Sequence, residues 1–169
     1  MEIQFDDYKL RKWGPGDEDD LVKYASNRKI WMNLDDAFSY PYTRSDARAW
    51  ISSNFGRPLT NFAVASESEV IGGVGFKFME GIYRRTAEIG YWLGEPFWGR
   101  GITTAAVGEL VKYAFANFDL VRLQAMVFEW NPASMRVLEK NSFNREARLQ
   151  KSVTKDGKLI DALLYALTR

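Results

Sequence analysis

The chain has 169 residues, 46% of them hydrophobic and 27% charged, with a formal net charge of +1, the balance of one soluble globular domain over residues 1–169. This balance excludes a disordered chain and a nucleic-acid-backbone binder, and no apolar run approaches the roughly 18 residues of a membrane span. Cysteine and histidine are both absent, which excludes disulfides, thiolate catalysis and the usual metal ligands and leaves acid–base chemistry to Glu, Asp, Tyr, Lys or Ser.

From the N-terminus, "MEIQFDDYKLRKW" carries charges where a signal peptide has its apolar centre, so it reads as mature structure and the cytoplasm as the location. Within it "YKLRKW" suggests a first strand, and "PGDEDDLVKYASN" a helix with acids at its positive end. "TRSDARAWISSNF" predicts a second helix with Thr43 as N-cap and Asp46 closing a capping box. "NFAVAS" and "VIGGVGFKFM" read as a hairpin about Glu67 to Glu69, and "TAEIGYWLG" as the next strand. From Ile102 apolar residues recur at three- and four-residue intervals through Phe115, a one-faced helix. "VRLQAMVF" is then a strand, "PASMRVLEKN" a short helix, and "RLQKSVT" with "LIDALLYAL" a closing hairpin about Lys155 to Lys158. Hairpins mixed with strand–helix–strand steps predict an α+β fold, antiparallel in its first half, with helices on both faces of the sheet.

The segment "EPFWGRGITTAAVGEL" sets Gly99 and Gly101 at the start of a helix. A helix start leaves backbone N–H groups unpaired and carries partial positive charge, so a glycine turn there makes an anion seat. Arg100 adds a charge, and Thr103 and Thr104 add hydroxyls. The same residues also make an ordinary tight turn. Neither a dinucleotide fingerprint nor a P-loop is present, since Thr104 stands where a third glycine is needed and no Gly-Lys-Ser/Thr follows.

Three segments in order, "AEIGYWLGEPFWGRGITTAAV", "RLQAMVFEWNPASMRVLEKNSF" and "DALLYAL", resemble the GNAT acetyltransferase superfamily, in particular its RimJ/RimL-like branch. The resemblance implies a mixed, mostly antiparallel twisted sheet of six to seven strands, with a splay between the two central strands. It implies acetyl-CoA as cofactor, its pyrophosphate on Trp98, Gly99, Arg100, Gly101, Ile102, Thr103 and Thr104. Trp98 and Thr103 depart from the superfamily's usual residues at the two ends of that pattern. The pantetheine arm would pair with the backbone edge at Tyr91, Trp92 and Leu93. Asn131, which by itself caps the helix begun by Pro132, would also face the arm.

The resemblance further implies direct attack of an amine on the thioester in a ternary complex. An amine is mainly protonated at neutral pH, and Glu88 is the expected base, with an ion pair to Arg84 or Arg85 as the alternative use of its charge. The superfamily's usual tyrosine near the departing thiolate is replaced by Leu138, and Ser134 is the group expected to meet the sulfur, as acid or as hydrogen-bond donor. "NRKIWMNLDDAFSYPYT" falls where such enzymes line the acceptor pocket: Trp31, Phe38 and Tyr40 would bind a cationic amine, with Phe76 and Tyr83 opposite. These aromatics equally suit a packed loop. The partners implied are an amine acceptor, on a protein N-terminus or a small molecule such as a polyamine or antibiotic, and a second copy of the chain in a homodimer. A CoA-binding sensor without turnover is the non-enzymatic alternative.

Overall fold

In the computed structural model, residues 1–55 and 58–169 are described. Eight strands form one sheet in the order β1-β2-β3-β4-β5-β6-β8-β7. β1 (Glu2–Phe5) and β2 (Tyr8–Arg11) make a hairpin, followed by α1 (Glu18–Ala25), the single-turn α2 (Arg28–Trp31) and α3 (Arg44–Ser53). β3 (Asn61–Ala65), β4 (Val70–Phe78) and β5 (Thr86–Leu93) run antiparallel; then come α4 (Ile102–Asn117), β6 (Arg122–Phe128), α5 (Pro132–Lys140) and the long hairpin of β7 (Asn144–Lys155) and β8 (Lys158–Thr168). Every neighbouring pair is antiparallel except β5 with β6.

The expected six to seven strands become eight because β1 was not foreseen. Its turn is built by Asp6 at φ 46, the left-handed conformation that a short polar side chain tolerates. Other local signals hold. Thr43 accepts from the Asp46 N–H while the Asp46 carboxylate accepts from the Thr43 N–H at 2.8 Å, the full capping box. α5 closes on Asn141 as its C-cap, and the next residue, Ser142, takes the left-handed conformation, φ 65. The Asn141 side-chain amide donates to the Thr104 carbonyl at 3.0 Å, fastening α5 to α4.

Strand alternation separates two apolar layers. On β3, Phe62 and Val64 join the layer under α4, whereas Ala63 and Ala65 join that under α1 and α3. On β5, Ala87, Ile89 and Leu93 face the α4 side. Glu88, Gly90 and Trp92 therefore point to the α1/α3 side. Helices thus cover both faces, as the order of elements required.

Candidate active site

The parallel ladder between β5 and β6 consists of Thr86↔Arg122, Ala87↔Leu123 and Glu88↔Gln124, and it stops there. Beyond Glu88 the two strands part. Which backbone groups face the gap follows from the β4–β5 hairpin, because antiparallel residues alternate between turning their N–H and C=O toward the partner and away from it. Gly94 N–H donates to the Ile71 carbonyl at 2.7 Å and Met79 N–H to the Thr86 carbonyl at 2.9 Å. Even-numbered β5 residues therefore face β4, and Ile89, Tyr91 and Leu93 face the gap. Trp92, expected to offer its backbone, cannot: its N–H and C=O belong to β4, although the residue lines the cleft. The Leu93 carbonyl accepts from Trp98 Nε1 at 2.7 Å, so Tyr91 alone keeps both of its gap-facing backbone groups.

The gap opens into a cleft of about 510 Å³. Lining it are Tyr91, Trp92, Leu93, Trp98, Gly99, Arg100, Gly101, Ile102, Thr103, Thr104, Asn131 and Ser134, every residue expected at the cofactor. Gly99 and Gly101 have φ of 74 and 78, and a Cβ on either would meet nothing within 4 Å. Their side of the turn is thus open space, as a close-lying ligand requires. The first bond of α4 runs from Ala105 N–H to the Gly101 carbonyl at 3.1 Å. The N–H groups of Ile102, Thr103 and Thr104 precede it and point out of the helix end, unpaired among the described residues. Four cations, Lys29, Arg100, Arg136 and Lys140, line the same cleft. Unpaired N–H groups, a helix dipole and cations are a donor set for a polyphosphate, and the fit to the pyrophosphate of acetyl-CoA is good.

α5 forms the facing wall. Asn131 caps it by accepting from the Ser134 N–H at 3.2 Å, which leaves its Nδ2 for the cleft. Ser134 sits 2.7 Å, oxygen to oxygen, from the Tyr91 phenol. Burial pushes that phenol up to about 12, with the Ser134 bond acting the other way. Leu138 is fully buried in the core.

Glu88 stands exposed on the opposite face, at the last rung before the strands part. Arg85 pairs with Asp119 and Arg84 donates to the Gly81 carbonyl, so neither arginine takes the Glu88 carboxylate, which has no hydrogen-bond partner among the described residues. Phe38 lies over this face, its ring stacked on Tyr42 at 5.0 Å and set edge-on to Trp92 at 5.9 Å. Trp31 packs on Tyr40 at 5.8 Å, and its ring carries the Lys155 ammonium at 3.8 Å. Lys155, from the β7–β8 tip, is almost wholly buried and also donates to Asp36 at 2.9 Å. The face of Trp31 expected to receive a substrate cation is therefore filled by the protein's own lysine. Phe76 is corrected outright: it is 3% exposed, packed on Phe118 in the α4 layer, because it pairs with Ile89 while its neighbour Lys77 pairs with Glu88 and shares the Glu88 face. Tyr83 is 58% exposed on the Gly81–Tyr83 turn and does not line the cleft.

Sequence reasoning missed Lys29, Arg136 and Lys140. The helical spacing of Ala133, Arg136, Val137 and Lys140 could have placed the last two on one face of α5. Lys29 could not be found so, because it lines the cleft from α2, far ahead of the glycine turn in the chain; its ammonium pairs with Glu95, whose carboxyl it holds below the usual range, aided by the Asn27 amide.

No helix among the described residues is long and apolar enough to cross a membrane. Residues 8–144 match the model of the acetyltransferase (GNAT) domain. The chain is 34% identical to an uncharacterized N-acetyltransferase, p20, of Bacillus licheniformis, over 95% of this chain and 92% of that one. It is 33% identical to the ribosomal-protein-serine acetyltransferase of Escherichia coli, over 86% and 84%. Its fold superimposes with a TM-score of 0.85 on a RimL ribosomal α-N-protein acetyltransferase in complex with coenzyme A, at 22% identity, over 99% and 98% of the two chains. With a splayed sheet, an anion seat at the head of α4 and a domain match over most of its length, the chain belongs to the GNAT family and is an acetyl-CoA-dependent N-acetyltransferase.

Proposed function

We propose that the protein acetylates the terminal amine of a polypeptide, a ribosomal protein in the first instance, by direct attack of the amine on the bound thioester. The bound cofactor supplies an acetyl group activated as a thioester. The observation that carries the reading is the unpartnered Glu88 carboxylate where the β5–β6 ladder opens. There it can take a proton from an amine arriving on the α1/α3 face. Tyr91 and Leu93 N–H groups, pointing into the gap, can polarise a carbonyl lying between the strands. The cations of the cleft hold the phosphates, and Ser134 on the far wall meets the sulfur. A polypeptide acceptor is supported by the Escherichia coli relative, whose name gives a ribosomal protein serine as its target.

The test is thiol release from acetyl-CoA with peptides bearing a free N-terminal serine, against spermidine and an aminoglycoside. Saturable turnover with a peptide is expected; saturation by spermidine or the aminoglycoside alone would overturn the polypeptide reading. Glu88→Gln should lower kcat by about 10²-fold or more with acetyl-CoA affinity unchanged. A Glu88→Gln pH–rate profile that superimposes on that of the wild type would remove Glu88 as the base.

A further inference from the structure

We infer that the Tyr91 phenol is a positioning residue for the leaving sulfur: it donates to Ser134 Oγ and so frees the serine proton to point at the cofactor's thiolate. The proposal rests on the reading that Ser134 faces the sulfur, and adds to it a second residue from a different strand.

The geometry begins with a shortage. A serine hydroxyl has one proton, and beside a sulfur anion that proton must point at the sulfur. Ser134 Oγ has the Tyr91 oxygen at 2.7 Å, the distance of a good O–H···O bond. If the serine donated to the phenol, nothing would remain for the sulfur. If the phenol donates, the serine is both relieved and polarised, since hydrogen bonds in a chain strengthen one another. Among the described residues the phenol's one other acceptor is the Ser134 carbonyl, at 3.3 Å, a longer and weaker alternative. Burial keeps the phenol protonated across the working pH range, so it always has a proton to give.

Among the described residues no other side chain hydrogen-bonds the Ser134 hydroxyl. The position one turn further along α5 is Leu138, which is fully buried. Tyr165, the other phenol near α5, donates to Glu139 at 2.9 Å. Tyr91 also belongs to the odd set of β5 whose backbone faces the gap, so ring and backbone of one residue span from β5 to α5. When the carbon–sulfur bond breaks, its electron pair stays on sulfur. The thiolate is held by the Ser134 hydrogen bond and collects its proton from water, and neither hydroxyl is ionised.

The chain contains no cysteine, so in a complex with coenzyme A the cofactor's thiol is the only one present. Its ionisation can therefore be read from the pH dependence of its alkylation by iodoacetamide, with protein in excess and no amine acceptor. The other charged groups that face the cleft, Lys29, Arg100, Arg136 and Lys140, together with Tyr165 beside the phenol and Glu88 on the opposite face of β5, are unchanged in every variant and act as a constant background. The expected result is a bound thiol that ionises at lower pH than free coenzyme A. Tyr91→Phe should move that midpoint up by about one pH unit, roughly tenfold in ionisation constant. Ser134→Ala should move it at least as far, and Tyr91→Phe should add nothing in the Ser134→Ala background. Ser134→Thr, which keeps the hydroxyl, should retain the low midpoint. A midpoint unmoved by Tyr91→Phe, or two additive shifts, would overturn the role of Tyr91 while leaving Ser134 in place. A wild-type midpoint equal to that of free coenzyme A would overturn both. Since no amine is present, neither result depends on Glu88 or on the acceptor proposed above.

Discussion

Gly101→Ala separates the two things a glycine can do at the head of α4. At φ 78 any side chain is strained, at about 1–2 kcal/mol for a left-handed residue. In a chain of this length that lowers Tm by roughly 2–4 °C per kcal/mol. Gly157, in the β7–β8 turn, supplies a matched control: its φ is 72, and its Cβ too would meet nothing within 4 Å. Gly157→Ala should therefore cost the same stability. The two variants differ in what occupies the open space, because Gly101 lines the cleft and Gly157 does not. If phosphate oxygens rest on the helix N–H groups, a methyl in that space pushes them off. Losing one hydrogen bond to a charged group costs about 1.5–3 kcal/mol, which is roughly a tenfold to hundredfold rise in Kd. Calorimetry of acetyl-CoA binding, beside thermal unfolding of both variants, measures each quantity. Equal Tm losses with weakened binding only for Gly101→Ala are expected. Equal binding by the two variants would refute the anion seat.

Ser142→Gly should raise stability by about 1 kcal/mol, because it relieves a left-handed serine at the end of α5; a Tm at or below wild type would contradict that account. The Asp46 carboxyl is held below its usual range, first by the Thr43 hydroxyl and then by the Thr43 N–H. A depressed folded pKa gives stability that is present above the unfolded value of about 3.9 and is lost as pH falls through the folded one. Thr43→Val should therefore be less stable than wild type at neutral pH, and the two melting curves should draw together under acid; a gap that widens toward low pH would contradict the capping box as its source.

The local chemistry of this fold was legible and the long-range chemistry was not. The capping box at Thr43, the glycine turn and the α4 stripe each depend on residues within a few positions of one another, and each formed as read. The face of Phe76 was lost because β4 is buried almost throughout, which erases the two-residue alternation that tells one side of a sheet from the other. β1 was missed because a turn made by two aspartates lacks glycine, the usual mark of a left-handed residue. The tyrosine at 91 was read as backbone only; its bond to Ser134 joins residues 43 positions apart. Lys155 and Trp31, which meet across the loop between α2 and α3, are farther apart still. Such pairings are set by topology, and no period in the sequence announces them.

The sheet itself carries one more implication. Glu88 looks out on one of its faces while Tyr91, Ser134 and the α4 head belong to the other, and the slit between β5 and β6 is the passage from one to the other. A molecule approaching from the α1/α3 side meets a wall whose shape is set by the α2–α3 loop and the hairpin tip that pins it through Lys155. That wall touches the cleft at Asn33 and Leu34, where the loop leaves α2, while the Trp31, Asp36 and Lys155 contacts lie outside it. On the proposed reading, substitutions in the part of the loop beyond Leu34 alter the surface an amine meets and leave the glycine turn at the head of α4 untouched.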